Sequence, residues 1–409
     1  MPVFSKHYLM QTSTLPSQRQ ESINIFRAVT MFLMIFVNDF WTLEDVPVWL
    51  LHTAAEADAM GFSDVIFPMF LFIVGLSLPF AINNRMTKGD SNRVVLQHIV
   101  ERTFALLLMG IFLVNFENMR SEGMMIPKYV WEILLIAAFF LIWNVYPNKP
   151  ERKRLYTALK VSGYVVLIVL AAVYQGGTKE DPRWMETHWW GILGLIGWSY
   201  LICSVVYLYF RQRLLLVIFS WFVLVLFNLA DFAGWLTPLD AIRNTFWIVG
   251  SGAMPAFTMA GVVASMLYQR HFRKDNATIF IAILILLGVL SLLYGFGTRP
   301  FWGISKIRAT PAWLGICTGV SFIVYAFFFW LVEIADRKNW ANALKPAGEA
   351  TLTCYLIPYI WYAVVTIAGV SLPLFLRTGM IGLVKSLLFS LFIILLTGLI
   401  NRLGVKLKI

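Results

Sequence analysis

Long apolar stretches recur along the whole chain and are separated by short polar segments. Most of them hold about 20 residues, the length of helix that crosses the hydrocarbon core of a bilayer. Because backbone groups in lipid must be hydrogen-bonded within their own segment, such stretches predict membrane-spanning helices. The pattern predicts about 12 spans, at residues 23–42, 63–83, 98–116, 128–146, 155–174, 189–209, 213–231, 246–268, 277–296, 312–334, 351–370 and 380–400.

The composition agrees with this interpretation. Of the 409 residues, 59% are hydrophobic and 13% are charged, and that charged share is about half of what a soluble domain carries. The predicted fold class is therefore all-α: a polytopic integral membrane helical bundle of about 12 transmembrane helices. Residues 1–20 are polar and have no apolar core, so we expect the first span itself, rather than a signal peptide, to direct insertion.

The net charge of +11 follows membrane topology and does not indicate a nucleic-acid partner. Basic residues cluster in every second loop, as the positive-inside rule requires of cytoplasmic loops. These clusters contain Arg85, Lys88 and Arg93; Lys149, Arg152, Lys153 and Arg154; Arg211 and Arg213; Arg270, Arg273 and Lys274; Arg337, Lys338 and Lys345; and Arg402, Lys406 and Lys408. The alternation predicts that both termini are cytoplasmic. It divides the chain into a cytoplasmic segment 1–22, a transmembrane domain 23–401 and a cytoplasmic tail 402–409.

The cysteines carry no metal or disulfide signal. Cys203, Cys317 and Cys354 all fall within apolar stretches, where a thiol behaves as a small buried hydrophobe. Their spacing fits neither a disulfide framework nor a metal site, and we expect no metal.

Polar residues collect where the first two spans meet at the outer side. Asn38 ends the first span, His52 lies among apolar residues in the following loop, and Asp64 opens the second span. Ionisable groups inside or at the edge of spans are functional candidates by default. Imidazole exchanges a proton near neutral pH and a carboxylate can orient it, so His52 is the candidate for proton transfer.

Each of these residues also has a structural interpretation. His52 is equally typical of an interfacial histidine that is hydrogen-bonded for stability. The amide of Asn38 either stabilises an oxyanion or joins two helices. Asp64 precedes a long helix and fits an N-cap. Arg27 either reaches the inner headgroups or pairs with a phosphate.

The outer loops differ from the inner ones in composition. Segments 39–60, 176–190 and 295–313 are rich in Trp, Gly, Pro and mixed charge. Such loops form an aromatic belt at the membrane interface in many proteins. The alternative is a surface that binds a sugar or another polar substrate.

The stretch 25–81 resembles the membrane domain of the heparan-α-glucosaminide N-acetyltransferase family. The resemblance is carried by Phe26-Arg27, by Phe36-Val37-Asn38, by His52, and by the Asp64-Val65-Ile66-Phe67-Pro68 segment. Weaker similarity extends to Glu101-Arg102 and to the segments 304–313 and 346–356. Asn24 and Ala28 depart from the residues that often flank the Phe-Arg motif. The chain looks like a bacterial-type relative without the lumenal domain.

The resemblance implies a membrane-embedded acetyltransferase that uses acetyl-coenzyme A as co-substrate. The acetyl group would pass from the cytoplasm to the amine of an amino sugar or glycan of the glucosaminide type on the outer side. His52 would act as general base or as a covalent acetyl carrier, and Asn38 would stabilise the oxyanion. These two routes stay open.

Further site residues are predicted around this centre. Asp64 completes the catalytic group. The predicted substrate-binding residues are Asp39, Trp41, Asp58, Trp302, Ser305 and Lys306. The predicted residues for coenzyme binding are Arg27, Arg85, Arg93 and Arg102.

The alternative function is a twelve-helix secondary transporter of a polar solute, which would explain the span count. The sequence shows no mid-span pair of carboxylates of the kind that couples ion movement, which argues against a transporter. The expected location is a bacterial inner membrane, crossed many times. The predicted partners are the bilayer and an amino sugar or glycan, without nucleic acid, and a homodimer is left open.

Overall fold

The computed structural model describes residues 21–120, 124–178, 180–239, 249–271 and 276–409. Most of the predicted N-terminal segment 1–22 and the basic residues Arg273 and Lys274 lie outside these ranges. So does the beginning of the predicted span 246–268.

The regular structure of the described chain is helical, apart from one β-ribbon made of two strands of two residues each. Its helices are α1 (Glu21–Asn38), α2 (Ser63–Thr87), α3 (Asn92–Glu117), α4 (Lys128–Trp143), α5 (Lys153–Ala172), α6 (Ile192–Phe210), α7 (Leu214–Phe232), α8 (Ala253–His271), α9 (Ala277–Trp302), α10 (Pro311–Phe329), the short α11 (Lys345–Glu349), α12 (Thr351–Ile367) and α13 (Gly379–Arg402). The ribbon pairs β1 (Gly176–Gly177) with β2 (Pro182–Arg183) in antiparallel fashion. Each predicted span overlaps one of the long helices.

Nine of the described helices are long and apolar enough to cross a membrane. A tenth is added if the segment 339–349 and α12, which meet at a bend of 79°, form one broken span. The structure is thus a polytopic helical bundle as predicted, while the count of about 12 spans and the cytoplasmic position of both termini stay predictions.

Burial separates a central group of helices from a peripheral one. Burial was compared over an apolar stretch of 18 residues in each helix. Of this stretch, 72% is buried inside the protein in α2, but only 17% in the helix that ends at Ala172 and 22% in α7. The peripheral helices expose large apolar side chains such as Ile168, Leu215 and Phe219. Continuous exposed apolar surface of this kind is typical of contact with lipid.

Glycines allow the central helices to approach closely. Gly75 of α2 and Gly261 of α8 face one another's helix, and a Cβ at these positions would lie 1.8 Å from the Thr258 carbonyl oxygen and 1.9 Å from the Phe72 carbonyl oxygen. Small residues permit this kind of backbone contact between membrane helices. The closely packed helices α2 and α8 support the candidate site.

Candidate active site

The loop between α1 and α2 is folded back onto the start of α2. The Ser63 hydroxyl donates to the Leu50 carbonyl oxygen at 2.5 Å, and the Phe62 N–H donates to the Trp49 carbonyl oxygen at 2.8 Å. Gly61 packs so tightly that a Cβ would lie 1.8 Å from the Leu51 carbonyl oxygen. These contacts hold residue 52 directly over the first turn of α2.

His52 and Asp64 form a short hydrogen-bonded pair. The distance from His52 Nδ1 to Asp64 Oδ1 is 2.6 Å. Because an ionised carboxylate only accepts hydrogen bonds, Nδ1 is the donor and Nε2 is left with its lone pair. The His52 side chain is 48% exposed, while that of Asp64 is fully buried. The imidazole is therefore partly accessible, while the carboxylate that orients it is not.

Asp64 is itself fixed by three further donors. Its Oδ2 accepts from the Gly61 N–H at 3.0 Å, from the Thr53 N–H at 3.3 Å and from the Thr53 hydroxyl at 3.1 Å. The residue at the N-cap position of α2 is Phe62, so Asp64 does not act as the N-cap. Its carboxylate serves the loop and the histidine instead.

Lys306 reaches this pair from the loop between α9 and α10. Its Nζ lies 3.1 Å from His52 Nδ1, 3.4 Å from His52 Nε2 and 3.8 Å from Asp64 Oδ1. Burial lowers the pKa of the Lys306 ammonium, and the Asp64 carboxylate opposes that shift. The structure thus places a cation beside the imidazole.

Two other predicted substrate residues hold the Lys306 loop in place. Asp58 accepts from Arg299 Nε at 3.0 Å and from the Ile304 N–H at 2.7 Å. That N–H, followed by the Arg299 guanidinium, holds the pKa of the Asp58 carboxyl below its ordinary value. The Ser305 hydroxyl donates to the Ala55 carbonyl oxygen at 2.9 Å. Asp58 and Ser305 thus join the two loops that carry His52 and Lys306.

A large cavity opens beside the pair. Its volume is about 940 Å³, and its wall includes His52, Asn38, Lys306 and Trp41. Asn38 is exposed at the end of α1, and Trp41 packs edge-on against Tyr362, with ring centroids 5.1 Å apart. Four residues predicted from the sequence therefore share one cavity. A volume of this size accommodates a small-molecule substrate.

Asp39 and Trp302 occupy different surroundings. Asp39 is 1% exposed and accepts hydrogen bonds from the Tyr362 hydroxyl at 2.7 Å, from Lys385 Nζ at 2.7 Å and from the Ser386 hydroxyl at 2.5 Å. It joins α1 to α12 and α13. Trp302 packs against Phe232, and neither Asp39 nor Trp302 is among the described residues that line the cavity.

Two of the four predicted coenzyme residues share a second cavity. Arg85 and Arg102 line a smaller cavity of about 290 Å³ together with His98 and Lys408. Arg85 also pairs with Asp90 at 3.2 Å, and the Arg102 guanidinium lies over the Tyr200 ring, 4.6 Å from its centroid. Glu101 also lines this cavity and pairs with His98 at 3.3 Å. The three cations Arg85, Arg102 and Lys408 fit an anionic ligand such as a phosphate.

The other two arginines do not join that cavity among the described residues. Arg27 is 7% exposed and donates to the Gly348 carbonyl oxygen at 3.3 Å and to the Ser77 hydroxyl. Arg93 is exposed near the beginning of α3. In the ranges that the structure describes, no group of three metal-ligating side chains was found.

Sequence reasoning missed the acidic residues of the large cavity. Glu117, Lys128 and Glu132 line it, from the end of α3 and the first turns of α4. Glu132 is 3% exposed. Glu117 is the last residue of α3 and Glu132 is the fifth residue of α4, so both lie near helix ends. The available signal was the charge within the apolar run that begins at Lys128, since such a charge is expensive in a membrane.

The fold and the site define a class: a polytopic helical membrane protein with an oriented histidine on a substrate-sized cavity. Residues 19–147 match the family model described as heparan-alpha-glucosaminide N-acetyltransferase, catalytic. This region contains α1 to α4, with Asn38, His52 and Asp64.

Two curated relatives each match part of the protein. The heparan-alpha-glucosaminide N-acetyltransferase of Mus musculus is 24% identical over 157 residues, which cover 35% of this chain and 23% of that protein. The protein of the same name from Homo sapiens is 31% identical over 107 residues, which cover 25% of this chain and 15% of that protein. The matches thus span less than a quarter of either relative. The family model and the relatives thus agree that part of this chain is similar to heparan-alpha-glucosaminide N-acetyltransferases.

Proposed function

We propose that the protein is a membrane-embedded acetyltransferase that moves the acetyl group of acetyl-coenzyme A to the amine of an amino sugar on the outer side. The observation that carries the proposal is the buried Asp64 carboxylate, 2.6 Å from His52 Nδ1, on a cavity that Asn38 also lines. Independent support for the proposal comes from the family match over residues 19–147.

His52 is poised for the proton transfer that amide formation needs. In direct transfer, His52 Nε2 takes the proton of the attacking amine as the new C–N bond forms. The imidazolium then returns this proton to the departing thiolate. The buried Asp64 carboxylate stabilises the imidazolium, and it holds the ring in the tautomer whose Nε2 carries the lone pair.

The same geometry permits a covalent route. His52 Nε2 would attack the acetyl carbonyl and break the C–S bond, so that the coenzyme leaves as a thiolate and the ring becomes an acetyl-imidazolium paired with the Asp64 carboxylate. The amine would then attack the acetyl carbon, the C–N bond to the ring would break, and the proton lost by the amine would pass to the thiolate, which restores the neutral histidine. In both routes the Asn38 amide would donate to the developing oxyanion, and the Lys306 ammonium adds positive charge beside it.

Arg85 and Arg102, with His98 and Lys408, would hold the anionic part of the coenzyme. The Arg102 Nε is buried without a hydrogen-bond partner among the described atoms, which fits a donor that awaits an anion. The coenzyme supplies a thioester, an activated acyl group that an amine can attack.

The test follows free thiol release by the purified protein, given acetyl-coenzyme A and glucosamine. We expect acceptor-dependent release in the unmodified protein, none above background for His52→Ala, and a loss of about 10²–10³-fold for Asn38→Ala. His188→Ala is the matched control, because His188 pairs with Glu186 at 3.4 Å and is not among the described cavity residues. Full activity of His52→Ala would contradict the mechanism.

Coenzyme dependence also separates the enzyme from the transporter alternative. A transporter of a polar solute needs no thioester. A folded protein that neither binds acetyl-coenzyme A nor releases thiol, but moves glucosamine across a vesicle membrane, would replace the proposal with the alternative.

A further inference from the structure

Three buried polar atoms on the wall of the large cavity have no hydrogen-bond partner among the described residues. They are Glu132 Oε2, Trp198 Nε1 and Ser199 Oγ, and all three residues line the cavity. Glu132 is 3% exposed and Ser199 is 1% exposed. Buried polar groups are rarely left unpaired, because each costs about 1–3 kcal/mol. Three on one cavity indicate a ligand that supplies the missing partners.

Lys128 is the nearest cation to Glu132 on the cavity wall, but it makes no hydrogen bond to Glu132 Oε2 among the described residues. Its Nζ donates to the Met119 carbonyl oxygen at 3.1 Å and lies 5.0 Å from the centroid of the Phe116 ring. The interaction of Lys128 with Glu132 is therefore one of charge at longer range, and Glu132 Oε2 is left for a donor from a bound ligand.

The three groups lie at similar depth. Glu132 is four residues into α4 and Ser199 is seven residues into α6, which corresponds to about 6 and 10 Å at 1.5 Å per residue. Both helices begin at the end of the bundle where the α1–α2 loop carries His52. Trp189 and Trp190, in the segment just before α6, also line the cavity and supply flat apolar faces.

We propose that Glu132, Trp198 and Ser199 form the subsite that binds the ring hydroxyls of the acceptor sugar. This inference rests on the proposed function for the class of acceptor. Hydroxyls donate to the Glu132 carboxylate, while Trp198 and Ser199 donate to ring oxygens. The amine of the sugar is then left for His52, so Glu132 sets affinity and orientation and takes no part in the transfer itself.

The kinetic test compares Glu132→Gln with Glu56→Gln, a control that removes an exposed carboxylate from the α1–α2 loop. For Glu132→Gln we expect KM for glucosamine to rise about 10- to 100-fold, the loss of a hydrogen bond to a charged group. The KM for acetyl-coenzyme A and kcat should change little. An unchanged KM for glucosamine would overturn the subsite and leave the proposed function intact.

A binding test does not depend on turnover. Tryptophan fluorescence of the His52→Ala protein is titrated with glucosamine and with N-acetylglucosamine, because five of the described tryptophans line the cavity. Adding Glu132→Gln should weaken the binding of both sugars alike. If only glucosamine were weakened, the carboxylate would be holding the ammonium, and the hydroxyl subsite would be wrong.

The two proposals fail separately. Sugar binding that depends on Glu132, in a protein that releases no thiol, would keep the subsite and reject the acetyltransferase. Should Glu132→Gln not fold, Ser199→Ala replaces it, with an expected rise in sugar Kd of about 2- to 10-fold for one neutral hydrogen bond. Unchanged binding in Ser199→Ala would then reject the subsite.

Discussion

Asp64 shows how one buried carboxylate can serve both structure and chemistry. Its Oδ1 accepts from the His52 ring. Its Oδ2 accepts from the N–H and hydroxyl of Thr53 and from the N–H of Gly61. Its negative charge is fully enclosed, so the imidazolium that forms during transfer would be its natural counter-charge. Asp64 thus orients the His52 ring through its short hydrogen bond to Nδ1.

Asp64→Asn should separate these two roles. An asparagine keeps the volume but removes the charge that stabilises the imidazolium, and it can present an N–H where the carboxylate accepts. We expect kcat for thiol release to fall about 10²–10⁴-fold, with a folded protein by thermal unfolding in detergent. Asp45→Asn, an exposed change in the same loop, should behave like the unmodified protein. An unaltered kcat for Asp64→Asn would show that the pair is only structural.

At the scale of the element, the site depends on close helix contacts. The α2 helix carries Asp64 in its first turn and packs along α8 through Gly75 and Gly261. Trp313 of α10 donates its Nε1–H to the Asp64 carbonyl oxygen at 3.1 Å. The position of the carboxylate is therefore set by helices from three distant parts of the chain.

Gly75→Ala should destabilise the protein through this contact. The added Cβ would lie 1.8 Å from the Thr258 carbonyl oxygen, so the two helices would have to separate. Overpacking of this kind costs about 1–3 kcal/mol, and we expect a lower Tm in detergent. Gly297→Ala is the matched control, because a Cβ there meets no atom of the described chain within 4 Å. Equal Tm values for the two variants would contradict the predicted contact.

At the scale of the whole molecule, the orientation of the protein decides which face of the membrane each of the two cavities lies toward. The loop of His52 and the small cavity lined by Arg85 and Arg102 lie toward opposite ends of α2, since Asp64 is in its first turn and Arg85 in its last. The proposed reaction therefore requires the Arg85 end to be cytoplasmic, as the charge of the loops predicts.

Cysteine labelling tests this orientation. Glu56→Cys should react with a membrane-impermeant maleimide on intact cells, and Lys88→Cys only after permeabilisation. The native Cys203, Cys317 and Cys354 are fully buried and provide an unreactive background. The reverse pattern would invert the topology and remove acetyl-coenzyme A from the side that the proposal needs.

What the sequence determined is local along the chain. Apolar stretches of about 20 residues determine helices, because lipid allows no unpaired backbone. The predicted spans therefore overlap the observed long helices. His52 and Asp64 are only 12 residues apart, so one loop brings them together. Asn38 ends the helix from which this loop starts.

Only the tertiary structure decided which faces of the helices meet. Lys306 is 254 residues from the His52 that it contacts, and Asp39 is 346 residues from Lys385. Asp39 was predicted to bind substrate but is placed inside a helix-joining network, while Glu132 was passed over and lies on the cavity. Hydropathy marks a helix as membrane-spanning but is nearly the same around its circumference, so it cannot tell a face that packs from a face that lines a site.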